Sequence, residues 1–256
     1  MSSALVLCNS HVLIHKRAYE ASSAGRMTIS QNFVDAQLEE YELADRILVE
    51  SEYVRNGLVV MGVPESKIVC SLPGPERNLE LGVSVEKDDR AIFGTVMCGP
   101  RKGTELLLKW WGTLALPGAE LWLIGGGCEQ REGEDAPGVR RWSTLPSRAY
   151  RELLRRLDVV LFPTFEDGGP RSLFEAMGVA ACPITSQYCA GPEHIVEGAT
   201  GFVIPLEHES EWMARMKWCA SNLGAVRSMG RKASIYVSTN LAPDHFERTI
   251  RALVLG

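Results

Sequence analysis

The stretch that decides the fold covers residues 159–205 and reads VVLFPTFEDGGPRSLFEAMGVAACPITSQYCAGPEHIVEGATGFVIP. Its apolar start, Val159 to Phe162, predicts a buried strand, and Cys182 to Thr185 predicts a second strand. A loop of carboxylates and glycines, Glu166 to Gly169, lies between them and leads into a helix. This strand, loop, helix, strand order is typical of a parallel α/β sheet.

The start of the predicted helix favours an anion-binding site. Pro170 suits the first helical position, and the amides just after it are expected to be unpaired and to attract phosphate. Asp167 and Glu175 lie eight positions apart, so both can face the carboxyl edge of the sheet, where open α/β sheets bind ligands. An isolated pair at this spacing also fits a second interpretation, in which Asp167 caps the helix and Glu175 lies on its solvated face.

The segments DGGPRSLFEAM and GPEHIVEGATGFVIP resemble the E-x7-E signature of retaining glycosyltransferases of the GT4 kind. The resemblance implies the GT-B fold, in which two Rossmann-like domains bind a nucleotide-sugar donor, with no metal or other cofactor. It implies that Asp167 meets hydroxyls of the donor sugar and that Glu175 holds the ribose. Asp167 is one methylene shorter than the glutamate of the family pattern, and Glu166 beside it is an alternative. The other donor-binding residues that it implies are Gly168, Gly169, Pro170, Arg171, Ser172 and Leu173.

Residues 91–103, AIFGTVMCGPRKG, predict a strand followed by a basic loop. They resemble the first strand and loop of the donor domain, where family members bind the diphosphate with an arginine and a lysine. The resemblance implies Lys102 first and Arg101 next, with Gly94 at the donor. The family arginine after that glycine is replaced by Thr95. The other interpretation is that both cations belong to a solvated helix start. Further along, the resemblance implies that backbone from Ser143 to Leu145 meets the base.

Two histidines follow a short apolar run, residues 4–8, that predicts the first strand. The segment resembles the acceptor domain of the family, in which a histidine after a strand lies near the acceptor. His11 matches this position better than His15 and is the predicted acceptor contact. The alternative is that either histidine fills a helix start or a surface position.

Trp110 and Trp111 are adjacent in a predicted helix, TELLLKWWGTL. Neighbouring helical residues point about 100° apart. We therefore expect one tryptophan in the core and the other over a groove or a domain contact. Three further helices are predicted near the end of the chain, over 209–223, 225–237 and 245–253.

Composition and charge narrow the functional class. The 256 residues are 45% hydrophobic with a net charge of −5 and no basic block, which argues against nucleic acid as the main partner. Seven scattered cysteines without a CxxC pair indicate reduced thiols. No apolar run reaches the roughly 18 residues of a membrane span. We expect a cytoplasmic protein, either free or peripheral at a membrane surface.

The predicted organisation is a partial acceptor-type domain over 1–72, a linker over 73–89 and a nearly complete donor domain over 90–256. The predicted function is transfer of a sugar, with retention of configuration, to a saccharide, lipid-linked or other acceptor. The alternative is an inactive partner subunit that binds a nucleotide sugar. Since only three strands precede the linker, where a doubly wound domain has about six, we also expect self-association or a partner chain.

Overall fold

The computed structural model describes residues 3–7, 9–23, 25, 27–72, 74–75, 87–128, 136–143, 145–241 and 244–255. The chain is α/β, as predicted, and its strands form two parallel sheets. Of the predicted linker over 73–89, residues 73 and 76–86 lie outside the described residues, as does Cys8 at the end of the first predicted strand. The six cysteines within the described ranges are free thiols.

The first sheet has three strands in the order β1-β2-β3. They are β1 (Ala4–Leu7), β2 (Arg46–Val49) and β3 (Ile68–Cys70). The helices that accompany them are α1 (Val12–Ser22), α2 (Gln31–Leu43) and α3 (Glu52–Val60). Apolar side chains from both layers form one core, in which Ile47, Val49 and Val54 are completely buried.

The second sheet has six parallel strands in the order β6-β5-β4-β7-β8-β9. The strands are β4 (Ile92–Val96), β5 (Glu120–Ile124), β6 (Val139–Trp142), β7 (Val159–Phe162), β8 (Cys182–Thr185) and β9 (Phe202–Val203). The helices are α4 (Thr104–Leu114), α5 (Ser147–Arg156), α6 (Arg171–Gly178), α7 (Glu209–Ser221), α8 (Leu223–Asn240) and α9 (Asp244–Leu255).

The strand order of the second sheet locates its ligand crevice. In chain order the strands are arranged 3-2-1-4-5-6, so the direction of winding reverses between β4 and β7. Loops that leave the carboxyl ends of these two strands diverge and open a crevice there. The loop after β4 contains Arg101 and Lys102, and the loop after β7 contains Glu166 to Gly169. The sheet therefore brings the two predicted loops to one place.

The expectation for the tryptophan pair is wrong, because both side chains are 1% exposed. Trp111 packs edge-on against Phe93 of β4, with ring centres 5.6 Å apart, and its Nε1 donates a hydrogen bond to the Pro137 carbonyl at 3.0 Å. Trp110 stacks on Trp212 of α7 at 5.3 Å. The sheet covers the side of α4 that carries Trp111, and α7 covers the side that carries Trp110. Both tryptophans therefore lie in the core.

The described end of the linker region is attached to the second sheet by Lys87. Its ammonium donates to the carbonyls of Leu157 at 2.6 Å and Ala180 at 3.1 Å and lies 4.0 Å from the buried carboxylate of Asp158. Burial lowers the pKa of Lys87 to about 8, although the charge of Asp158 acts in the opposite direction. The contacts lie at the amino end of the sheet, away from the crevice, and hold the chain as it enters β4.

Candidate functional site

The crevice between β4 and β7 contains a cavity of about 620 Å³, which we call the cleft. Eight predicted donor residues line it: Lys102, Ser143, Leu145, Asp167, Gly169, Arg171, Ser172 and Glu175. The other residues that line it are Val96, Met97, Gly125, Gly126, Ser147 and Tyr150. Thr144, within the predicted base-contacting segment, lies outside the described residues. Cationic side chains, carboxylates and the backbone of glycine residues thus line a single cavity.

Asp167 and Lys102 form an ion pair inside the cleft. The amide of Asp167 donates to the Tyr188 carbonyl at 3.0 Å, and the Ala190 amide donates to the Asp167 carbonyl at 3.1 Å. These backbone bonds tie the loop after β7 to the loop after β8. Asp167 is 7% exposed, and its carboxylate pairs with the Lys102 ammonium and accepts from the Gly169 amide at 3.3 Å. Lys102 is thereby placed where an anion or a hydroxyl-bearing ligand entering the cleft would meet it.

Glu166, the residue before Asp167, is completely buried and does not line the cleft. One of its carboxylate oxygens accepts from the Ser10 amide at 3.0 Å. The other lies 2.5 Å from His15 Nδ1 and 3.2 Å from Arg101 Nη1. Burial alone raises the pKa of Glu166, but these hydrogen bonds and the charge of Arg101 bring it below its ordinary value. Glu166 therefore joins the two sheets as an anion.

Further contacts continue this connection between the sheets. The Ser51 hydroxyl donates to the Gly168 carbonyl at 2.6 Å while it caps α3 by accepting from the Val54 amide at 3.2 Å. The Glu193 carboxylate accepts the amides of Glu52 and Tyr53 at 3.2 and 2.7 Å. We call this contact the seam; it comprises Ser10, His15, Glu50, Ser51, Glu52 and Tyr53 on one side and Arg101, Glu166, Gly168, Gly169 and Glu193 on the other.

Glu50 is the one acid of the seam that has no hydrogen bond within the described residues. It lies against Gly169, where any β-carbon would overlap its carboxylate, so only glycine allows this close approach. The pKa of Glu50 is raised to about 7. Burial is the largest cause; the charge of Arg171 lowers the pKa, and the charge of Asp167 raises it. Glu50 is 8% exposed, and its carboxyl group, which resists ionisation, packs against the glycine loop.

Glu175 lies one turn into α6, and its side chain is held by Tyr150 of α5. The Tyr150 hydroxyl donates to Glu175 Oε2 at 2.7 Å, and both residues line the cleft. Glu175 is 8% exposed, which excludes the interpretation that places it on a solvated helix face. No sequence signal pointed to Tyr150, because it stands at an ordinary position of an amphipathic helix.

The start of α6 is only partly open for a ligand. Pro170 caps the helix and does not begin it. The amide of Arg171 donates to the Gly169 carbonyl at 2.7 Å, and those of Leu173 and Phe174 donate to Pro170. The expectation of unpaired amides is therefore wrong at these positions, because the first turn tightens. Positive charge at this end of the cleft comes from Lys102 and from the exposed Arg171.

Several predicted residues do not line the cleft. Gly94 lies inside β4, where a β-carbon would come within 2.6 Å of Leu157, so the glycine makes room for packing. His11 is 2% exposed and caps α1 through Nδ1, which accepts from the Leu13 amide at 3.2 Å. His15, the less favoured histidine, is the one that contacts Glu166. Gly168, Pro170 and Leu173 are buried, and Arg101 turns toward the seam.

A family model described as "Glycosyl transferases group 1" matches residues 89–222. The chain belongs to this family. The matched range contains both loops of the cleft, Tyr150 and Glu175. No curated protein sequence matches this group 1 glycosyl transferase.

Solved structures agree on the fold. The chain superposes on sucrose-phosphate synthase from Thermosynechococcus elongatus with a TM-score of 0.77 at 14% identity, covering 98% of this chain and 66% of that protein. For HepE from Anabaena in complex with UDP-glucose, the TM-score is 0.74 at 13% identity, covering 88% of this chain and 68% of that protein. For TarM, the TM-score is 0.75 at 12% identity, covering 98% of this chain and 50% of that protein. The fold of the chain is that of GT-B glycosyltransferases, and the chain spans between half and about two thirds of these proteins.

The described residues contain no group of three or more histidine, cysteine, aspartate or glutamate side chains arranged to hold a metal ion. Among the helices in the described ranges, none is both long enough and apolar enough to cross a bilayer.

Proposed function

We propose that this group 1 glycosyl transferase moves a sugar from a nucleotide-sugar donor to an acceptor hydroxyl with retention of anomeric configuration. One observation carries the proposal. Two cations, Lys102 and Arg171, and two carboxylates, Asp167 and Glu175, line a single cavity at the switch point of a parallel sheet. A nucleotide sugar has an anionic diphosphate flanked by two groups rich in hydroxyls, and this order of charges matches it.

The order of groups along the cleft supports one direction of donor binding. Lys102 and Arg171 supply the charge for the diphosphate. Glu175 lies four residues beyond Arg171, about 6 Å along the helix, which is the step from a phosphate to its ribose. Ser143 and Leu145 follow β6 and also line the cavity, and they are assigned to the base. Asp167, paired with Lys102, is left for hydroxyls of the donor sugar.

The proposed reaction needs charge stabilisation more than a nucleophile. The bond between the anomeric carbon and the diphosphate oxygen breaks, and the acceptor oxygen forms its bond on the same face. The acceptor proton passes to the leaving phosphate oxygen, so a nucleoside diphosphate and a glycoside result. Lys102 and Arg171 stabilise the negative charge that develops on the diphosphate. Asp167 holds the sugar so that its anomeric carbon faces the acceptor.

UDP is the first nucleotide to test, since Anabaena HepE is solved with UDP-glucose and with UDP. Purified protein is titrated with UDP, GDP and ADP while thermal unfolding is followed. A nucleotide at a hundredfold its Kd stabilises a protein that binds it by about 2.7 kcal/mol. Lys102→Ala should lose most of this shift. Lys109→Ala, an exposed lysine paired with Glu209, is the matched control and should keep it.

Transfer itself is measured with an isotopically labelled donor of the best nucleotide and a panel of saccharide and lipid-linked acceptors. Labelled glycoside with the anomeric configuration of the donor, read by NMR coupling constants, supports the proposal. An inverted product contradicts retention. Nucleotide binding without transfer to any acceptor favours the alternative of an inactive binding subunit, and the absence of any thermal shift refutes the donor site altogether.

A further inference from the structure

The hydrogen bond between Tyr150 and Glu175 joins two helices across the wall of the cleft. Tyr150 lies in the first turns of α5, which follows β6, and Glu175 lies in α6, which follows the glycine loop. The donor and acceptor atoms are 2.7 Å apart, a distance typical of a strong O–H···O⁻ bond. The two residues are 25 positions apart, so the bond depends on how the helices pack.

A carboxylate buried to this degree requires hydrogen-bond donors, and the donor that it finds fixes its orientation. A glutamate has three side-chain torsions and loses recognition geometry when they are unrestrained. The Tyr150 hydroxyl reaches one carboxylate oxygen, and a carboxylate offers about four acceptor positions in all. A carboxylate can therefore accept from a tyrosine hydroxyl and from ligand hydroxyls at the same time. The effect of the bond is to fix the plane and reach of the carboxylate.

We propose that Tyr150 is a positioning residue that sets recognition of the nucleotide ribose by holding the Glu175 carboxylate toward the cleft. This inference rests on the proposed function, because it takes the ribose to lie between the cationic end and the base end. Without the hydroxyl, the Glu175 carboxylate loses the donor that orients it, so hydrogen bonds to the ribose hydroxyls weaken. Discrimination between a ribonucleotide and its dideoxy form then falls.

Tyr150→Phe removes the hydroxyl and keeps the ring. Affinities are measured by calorimetry for the best-binding nucleoside diphosphate of the UDP, GDP and ADP panel and for its 2′,3′-dideoxy form. The ratio of the two Kd values reports ribose recognition alone. The wild-type ratio should be roughly 10- to 100-fold, and Tyr150→Phe should reduce it by roughly 3- to 10-fold. Affinity for the dideoxy form should hardly change.

The matched control is Tyr236→Phe, which removes a hydroxyl bonded to His194 Nδ1 at 3.1 Å and does not line the cleft. It should keep the wild-type ratio. A wild-type ratio in Tyr150→Phe would overturn the positioning role while leaving the proposed function intact, and so would an equal loss for both nucleotides, which would indicate packing against the base. If the wild-type protein binds none of the three diphosphates, the proposed function fails, and this role fails with it.

Discussion

Glu166 and Asp167 are adjacent in the chain and face opposite sides of one loop. Glu166 points into the seam, where an amide, a histidine and an arginine surround its carboxylate. Asp167 points into the cleft, where its carboxylate pairs with a lysine that also lines the cavity. The same chemical group therefore joins the two sheets on one face of the loop and lines the cleft on the other. A loop built in this way can fix the cleft only while the seam is intact.

The largest expected effect comes from removing the Glu166 carboxylate. Glu166→Ala leaves Arg101 and His15 without their buried anion, and breaking such a pair typically costs about 3–5 kcal/mol. We expect the free energy of unfolding, measured in urea, to fall by that amount. Since the pKa of Glu166 lies below its ordinary value, its contribution is present above about pH 4.5 and is lost on acidification.

Asp167→Asn is the matched control for this first prediction, because it removes the neighbouring charge and keeps the size of the side chain. It should lower the free energy of unfolding by less than Glu166→Ala does, because the Lys102 that it leaves unpaired lines the open cleft, and it should impair binding of the sugar nucleotide. Equal destabilisation by the two variants would show that the two faces of the loop do not differ as described.

The next effect has the opposite sign and concerns Glu50. Folding raises the pKa of this carboxyl from 4.5 to about 7. A carboxyl whose pKa is raised by folding stabilises the protein below its unfolded pKa, and this contribution is lost as the pH rises. For Glu50 the free energy of unfolding should fall by about 2–3 kcal/mol between pH 4.5 and 7. Glu50→Gln should remove this loss, so the variant should be more stable than the wild-type protein above pH 7. Thermal unfolding from pH 4.5 to 8.5 measures the difference, and parallel curves for the two proteins would contradict it.

A third prediction tests the cleft. Glu175→Ala should weaken nucleoside diphosphate binding by about 1.5–3 kcal/mol, or ten- to a hundredfold, because hydrogen bonds to a charged group are lost. Asp167→Ala should weaken the bare diphosphate less and should mainly reduce discrimination between the sugar nucleotide and the diphosphate. Calorimetry with both ligands measures these values. Unchanged affinity in Glu175→Ala would mean that this carboxylate has no contact with the nucleotide.

The smallest expected effect is at Ser51, whose hydroxyl both caps α3 and bonds to the Gly168 carbonyl. Ser51→Ala should cost about 1–2 kcal/mol of stability. Ser30 caps α2, and within the described residues its hydroxyl accepts from the Phe33 amide alone, so Ser30→Ala should cost less. Any loss of nucleotide affinity should appear in Ser51→Ala alone, since Ser51 contacts the glycine loop. Equal nucleotide affinities in the two variants would show that the contacts of the seam do not influence binding in the cleft.

The sequence by itself determined the local elements and the edge of the sheet at which the cleft lies. The strands at Val159–Phe162 and Cys182–Thr185 have the predicted bounds, because runs of buried apolar residues beside a glycine loop allow few other structures. The three predicted helices after residue 205 also form, with ends shifted by a few residues. Lys102, Asp167 and Glu175 meet in one cavity because parallel strands bring their following loops to a common edge.

Only the tertiary structure decided which neighbour in each pair faces which way. The Glu166 carboxylate is held by Ser10, 156 residues away in the chain, and His15 reaches it where His11 does not. Trp110 and Trp111 are both buried because a sheet and a helix approach α4 from two sides. Periodicity fixes the direction of a side chain relative to its own helix or strand. The second surface that meets it is fixed by packing between distant segments, and burial, charge partners and the pKa of Glu50 follow from that packing.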